Sequence, residues 1–188
     1  MIRKALIVLD AVSNPEQKVA IVEINNFQKL NNEELWLLYA DTEAELKNRS
    51  LVRTRNMVGE RGEFLAIETY NSIKGLPNLQ AAPEGTQNVD ALSRKGERYS
   101  IKTITEPGST TGVFYGIGEK DTEDVSKKKF EFVIIVQLYK NYRPKRILEL
   151  TWEQFLKYKK WHKTMRAWNL SVTRVLVNDA KIIADFTD

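Results

Sequence analysis

The chain contains no cysteine and a single histidine, His162. Disulfides and thiolate metal sites are therefore excluded, as is a multi-histidine zinc cluster, and a Ser/His/Asp triad has almost no material to draw on. Any metal would have to be held by oxygen ligands. No run approaches eighteen uninterrupted apolar residues, so no membrane-spanning helix is expected. The opening "MIRKALIVLDAV" meets Asp10 too early, and lacks the small-residue cleavage pattern, for a signal peptide. These features predict a soluble, cytoplasmic protein with no membrane partner. The charge excess is small: 29 Lys and Arg against 25 Asp and Glu give +4, which permits a polyanionic partner without demanding one. What is present is ordinary globular material, 188 residues with 42% hydrophobic content, enough for one substantial core.

The segment "PEQKVAIVEINNF" alternates well enough for a strand, yet Ser13 and Glu16 flank Pro15 as a helical capping box would, so both readings stay open. A helix is predicted over about 33–47, opened by Asn31 with Glu34 and presenting Leu35, Leu38, Tyr39, Thr42 and Leu46 on one face. Residues 1–55 are read as an N-terminal extension and 56–188 as the main α/β core. In that core "GERGEFLAIETYNSI" predicts a second helix and "LPNLQAAPEGT" a loop. The β-branched run Val133 to Val136 predicts a central strand covered on both faces, with "RILEL" as its neighbour. Thr151 and Gln154 form a capping box before a long predicted helix, "WEQFLKYKKWHKTMRAW", with Phe155, Tyr158, Met165 and Trp168 as its core stripe. "SVTRVLVNDAKII" is predicted to be a short strand pair or a sheet edge around the Asn178-Asp179 turn. Helices before and after a mixed sheet make a single α/β domain.

The chemistry concentrates in "QNVDALSRKGERYSIKTI". "NVDALS" and "ERYSIKTI" predict a hairpin around Arg94-Lys95-Gly96, with glycine supplying the left-handed turn residue. In that register Ser93 faces Glu97, Ala91 faces Tyr99 and Asp90 faces Ser100, while Lys102 shares the side of Ser100. One face then gathers Asp90, Ser100 and Lys102. A carboxylate suits a hard divalent cation, and a nearby ammonium can orient the water that attacks a phosphate. Glu63, on the helix leading toward this hairpin, is a candidate second ligand if it leans over the sheet, and the Ile101 carbonyl could supply another oxygen.

Asp90 followed by Ser100-x-Lys102, with "GERGEFLAIETY" before it, resembles the PD-(D/E)XK nuclease superfamily, the restriction-endonuclease-like fold, and an uncharacterised bacterial group within it. The resemblance spans roughly residues 30 to 175, its specific part being 60 to 104. It implies a central mixed β-sheet flanked by helices and a metal-dependent DNA endonuclease using Mg2+ or Mn2+, in restriction or phage defence, with a homodimer as one arrangement. It also implies roles: Glu63 and Asp90 hold the metal and Lys102 is the motif lysine. Two departures stand out. Ser100 occupies the position usually held by an acid, and Val89 precedes the aspartate where proline gives the motif its name. The alternative is a catalytically degenerate nucleic-acid or protein-binding module of the same fold.

Candidate nucleic-acid contacts are Ser109, Thr110 and Thr111 in the glycine-rich "TEPGSTTGVFYGIG", and Lys157 and Lys160 opposite the predicted core stripe. Lys127, Lys128 and Lys129 form a smaller basic cluster. His162 is expected to be packed or hydrogen-bonded rather than catalytic.

Overall fold

A computed structural model describes residues 27–52, 56–83, 85–120 and 128–187. The two readings of "PEQKVAIVEINNF" and the role of Lys127 lie outside the described residues. The chain divides into two units, 1–49 and 50–188. In the first, a short 3-10 turn at Phe27–Lys29 precedes helix α1 (Asn32–Asn48). Its capping box is formed: Asn31 Oδ1 accepts from the Glu34 N–H and Glu34 Oε2 accepts from the Asn31 N–H. The predicted apolar stripe is not a buried face, since Leu35 and Tyr39 are 47% and 50% exposed.

The second unit is an α/β domain built on a six-stranded mixed sheet. After helix α2 (Met57–Ser72) come β1 (Leu79–Ala81), β2 (Ala91–Ser93), β3 (Arg98–Thr105), β4 (Phe132–Leu138) and β5 (Pro144–Thr151). Then follow α3 (Trp152–Tyr158), the hairpin strands β6 (Lys159–His162) and β7 (Ala167–Leu170), α4 (Arg174–Asp179) and β8 (Lys181–Asp185). The sheet order is β1-β2-β3-β4-β5-β8; β3 and β4 run parallel and the other neighbours antiparallel. Joining parallel neighbours requires a crossover, and the chain after β3 makes one across a face of the sheet, burying Phe114 and Ile117.

Strand alternation sorts the two faces. Tyr99 and Ile101 of β3, with Ile134 and Val136 of β4, pack against Leu65, Ala66 and Tyr70 of α2. Ile104, Val133, Ile135, Leu148 and Leu150 point the other way, into Phe114, Phe130, Phe155, Trp168 and Leu170. Val133 to Val136 are wholly buried, as their unbroken β-branched run predicted for a strand covered on both sides. The helix meets β3 closely because Gly62 has no side chain: a Cβ there would lie 1.8 Å from the Thr103 hydroxyl oxygen. On the same layer the Tyr70 hydroxyl donates to Glu149 at 2.6 Å and Lys181 closes on the other Glu149 oxygen at 3.2 Å, so a buried carboxylate is paired on both sides.

Three predicted elements are corrected. "LPNLQAAPEGT" is not all loop: Leu79–Ala81 forms the edge strand β1 on β2. The helix opened by Thr151 and Gln154 is capped as predicted, but it stops at Tyr158, and the rest of the predicted helix is the β6–β7 hairpin. Met165, expected in the core, is 46% exposed in the hairpin turn. The segment 171–183 is not a strand pair, since Thr173 caps α4 by accepting from the Leu176 N–H and Leu176 is fully buried, but its end, from Lys181, enters β8 at the edge of the sheet, in line with the predicted sheet edge.

The start of β3 is fixed to the start of β4 by Arg98, whose guanidinium donates to both oxygens of Glu131 at 2.8 and 3.1 Å while its N–H adds a third bond at 2.7 Å. These Arg98 hydrogen bonds draw the Glu131 carboxyl down to about 2, despite opposing desolvation. A carboxyl lowered on folding stabilises the native state above its unfolded value near 4.5, and that contribution disappears as pH falls toward about 2. Glu131→Gln should therefore cost about 1 kcal/mol at pH 7, the partly exposed pair being screened by solvent. Urea titrations should show that difference vanishing near pH 2.

Candidate active site

The β2–β3 hairpin forms in the predicted register. Ala91 pairs with Tyr99, the Ser93 N–H donates to the Glu97 carbonyl, and Gly96 adopts φ +83° at the turn. Asp90 sits at the entry of β2, and its N–H donates to the Tyr99 carbonyl at 2.8 Å. That bond shows which way β3 presents its backbone: Tyr99 turns its polar groups toward β2, so Ile101, two residues on, turns its own the same way. β2 has no residue left to pair with Ile101. The Asp90 carboxylate takes that place, with Oδ2 accepting the Ile101 N–H at 2.6 Å and the Ser100 hydroxyl at 3.3 Å. By the same alternation the Ile101 carbonyl faces the edge that carries the Asp90 carboxylate.

Lys102 completes the group, its Nζ 3.8 Å from Asp90 Oδ2. The side chain lies over the Phe114 ring, 5.1 Å from the centroid, where the π face favours an ammonium. Phe114 is itself held among Phe130 and Phe155, with centroids at 5.8 and 4.9 Å. Asp90 and Lys102 are 24% and 22% exposed, open enough to meet a ligand yet sheltered enough for their charges to matter. Ser100 is wholly buried and spends its hydroxyl on Asp90. It positions the carboxylate and does not face outward as a ligand.

Glu63 arrives by a different route. It lies beside Gly62 on α2, the helix that covers the Tyr99 and Ile101 face, whereas Ser100 and Lys102 project toward the Ile104 and Phe114 face. Asp90, Ser100 and Lys102 are therefore together, while Glu63 is carried by the helix that covers the opposite face of β3. Among the described residues no group of three or more His, Cys, Asp or Glu could hold a metal. The all-oxygen donors at the edge do suit a thinly held hard cation. The hydrogen bonds and ion pair of Asp90 fall on Oδ2, so Oδ1 and the Ile101 carbonyl are the two oxygens that would hold it. Magnesium commonly binds through one or two carboxylates, keeping water and substrate phosphates for its remaining positions.

The predicted nucleic-acid contacts separate. Thr111 is buried, with its hydroxyl accepting the Leu170 N–H at 3.0 Å, so it ties the crossover to β7 and is corrected as a DNA contact. Ser109 and Thr110 are exposed; Ser109 lines a groove at the carboxyl ends of the parallel pair β3 and β4, with Pro107, Gln137 and Lys145. Lys157 is exposed at the end of α3, where it pairs with Asp179 at 2.8 Å and gains proton affinity from that hydrogen bond. Lys160 is exposed on β6. His162 Nδ1 accepts the Met165 N–H at 3.2 Å, which closes the hairpin turn in the hydrogen-bonded role expected of it.

Sequence reasoning missed Phe114, the aromatic surface beneath Lys102, although its place twelve residues after the lysine marked it, with Tyr115, as a large aromatic flanked by glycine-rich chain. Among the described residues no helix is long and apolar enough to cross a membrane. Comparison with known proteins finds no family model that matches the chain and no curated protein similar to it.

Proposed function

We propose that this chain hydrolyses phosphodiester bonds in DNA with the help of a divalent cation, Mg2+ or Mn2+, as a restriction or defence nuclease would. One observation carries the reading: a carboxylate, a backbone carbonyl and an ammonium converge on the edge of β3 where β2 ends, with Asp90 and Lys102 3.8 Å apart. A cation bound there would polarise the scissile phosphate and acidify its water. Asp90 Oδ1 and the Ile101 carbonyl would hold the cation, with Glu63 on α2 as the candidate second carboxylate. The Ile101 N–H and the Ser100 hydroxyl fix the Asp90 carboxylate so that it need not reorganise during the reaction. Lys102 orients the attacking water and offers positive charge to the phosphate oxygens.

A second reading has its own support. Ser100 stands where an acid would complete the metal site, and its hydroxyl is turned inward onto Asp90. A chain of this design could bind nucleic acid without cutting it. Incubation of the purified protein with supercoiled and linear DNA in Mg2+ or Mn2+ decides between them. Nicks or breaks abolished by EDTA support hydrolysis; DNA binding without any cutting under either metal supports the binding module.

A further inference from the structure

From residue 154 to 178 the chain contains no acidic residue and six lysines and arginines, more positive charge than the net +4 of the whole protein. The structure turns the centre of that segment into the β6–β7 hairpin, whose register is Lys160↔Asn169, Trp161↔Trp168 and His162↔Ala167. One side of the hairpin is committed to the core: Trp168 and Leu170 are buried there, Trp161 packs on Trp168 edge to face at 5.0 Å, and Lys159 lies against the Trp168 ring. On the other side Ala167 and Asn169 of β7 are buried as well, and the exposed positions are Lys160 on β6 with Lys163 and Arg166 in the turn. Arg166 pairs with Glu119 at the surface, while the hairpin itself supplies no acid to neutralise Lys160 or Lys163.

This ribbon borders the candidate active site. β7 is bonded to the crossover through Phe114, whose N–H donates to the Trp168 carbonyl at 2.6 Å, and Phe114 is the ring beneath Lys102. We infer that the β6–β7 hairpin is the surface that seats double-stranded DNA beside the Asp90–Lys102 pair, with Lys160, Lys163 and Arg166 meeting phosphates. The inference rests on the proposed action on DNA and names its substrate as a duplex. The choice follows from how the hairpin is divided. Both tryptophans face inward, so it presents no stacking platform to unpaired bases. Its cations lie on β6 and the turn, β7 being buried, so they are placed to meet the phosphates of a duplex lying against that edge.

The test measures binding of the full-length protein to a fluorescent duplex of about 20 base pairs, and to one of its strands alone, in EDTA so that no cutting intervenes. Lys160→Gln with Lys163→Gln should weaken duplex binding at least about tenfold near 0.1 M salt. The slope of log affinity against log salt should fall by about 1.8, roughly 0.9 for each phosphate that the variant leaves unneutralised. Lys74→Gln, at an exposed lysine between α2 and β1, should change neither. Melting temperatures establish that all variants are folded. Unchanged affinity in the hairpin variant, or an equal loss in the control variant, overturns the proposal, and equal losses on strand and duplex overturn the choice of duplex. Since binding is read without metal, a protein that binds through the hairpin but never cuts would sink hydrolysis alone, and one that cuts with an indifferent hairpin would sink this proposal alone.

Discussion

Replacing Asp90 by asparagine is expected to reduce DNA cutting by at least about a hundredfold while leaving the fold intact. The substitution keeps an oxygen that can accept the Ile101 N–H, now bonded at 2.6 Å, and the Ser100 hydroxyl at 3.3 Å. What it removes is the negative charge that would hold a cation and face the Lys102 ammonium. Asp90→Ala should lose as much activity and also some stability, because the Ile101 N–H and the buried Ser100 hydroxyl are both deprived of their acceptor. Lys102→Ala should cost a similar factor through a different route, leaving Asp90 hydrogen-bonded to Ile101 and Ser100 but removing the ammonium 3.8 Å from it. Initial nicking rates, read beside thermal melting curves, separate damage to the chemistry from damage to the fold. Full activity in Asp90→Asn would show that this carboxylate takes no part in the reaction.

Phe155→Ala should be the most destabilising single truncation in the core beneath the site, at about 3–5 kcal/mol. Phe155 is wholly buried, and its ring meets Phe114, Phe130 and Trp152 at centroid distances of 4.9, 5.2 and 5.5 Å. Urea unfolding measures the cost. A second consequence is specific to the site: with its packing partner gone, Phe114 loses its fixed place under Lys102, so cutting should fall even where the variant remains folded. Phe155→Leu, which refills most of the volume, should recover stability first.

The parts of the fold that sequence made legible were those where local and tertiary preferences agree. The β2–β3 register followed from alternation together with Gly96, because only a left-handed residue closes that turn, and Asp90, Ser100 and Lys102 were gathered by that register. The Val133 to Val136 run declared a strand buried on both faces. The β6–β7 hairpin was hidden for an equally physical reason. Trp161 and Trp168 are seven residues apart, which places them on one stripe of a helix as readily as opposite one another across a four-residue turn. That turn, Lys163 to Arg166, contains no Gly, Pro or Asn, and Arg166 itself takes the left-handed φ of +47°. The absence of acids across the segment was visible but does not encode secondary structure. β1 was missed because three residues on a sheet edge, between Pro77 and Pro83, carry almost no periodic signal.

The placement of Glu63 was beyond periodicity too. A helical pattern shows which residues share a stripe, but not which face of a sheet the stripe will cover; in the fold α2 covers the Tyr99 and Ile101 face, with Gly62 fitted against Thr103. Ser100 likewise looked like a missing ligand and is, in the fold, a buried hydrogen-bond donor that aligns Asp90.

The central claim, a cation held at the edge of β3 by Asp90 and the Ile101 carbonyl, is tested most directly by soaking a crystal of the protein in manganese and measuring anomalous scattering. The account predicts a peak at bonding distance from Asp90 Oδ1 and the Ile101 oxygen, absent from a crystal of Asp90→Asn treated in the same way. No peak at Asp90, or one that persists unchanged in Asp90→Asn, would contradict it.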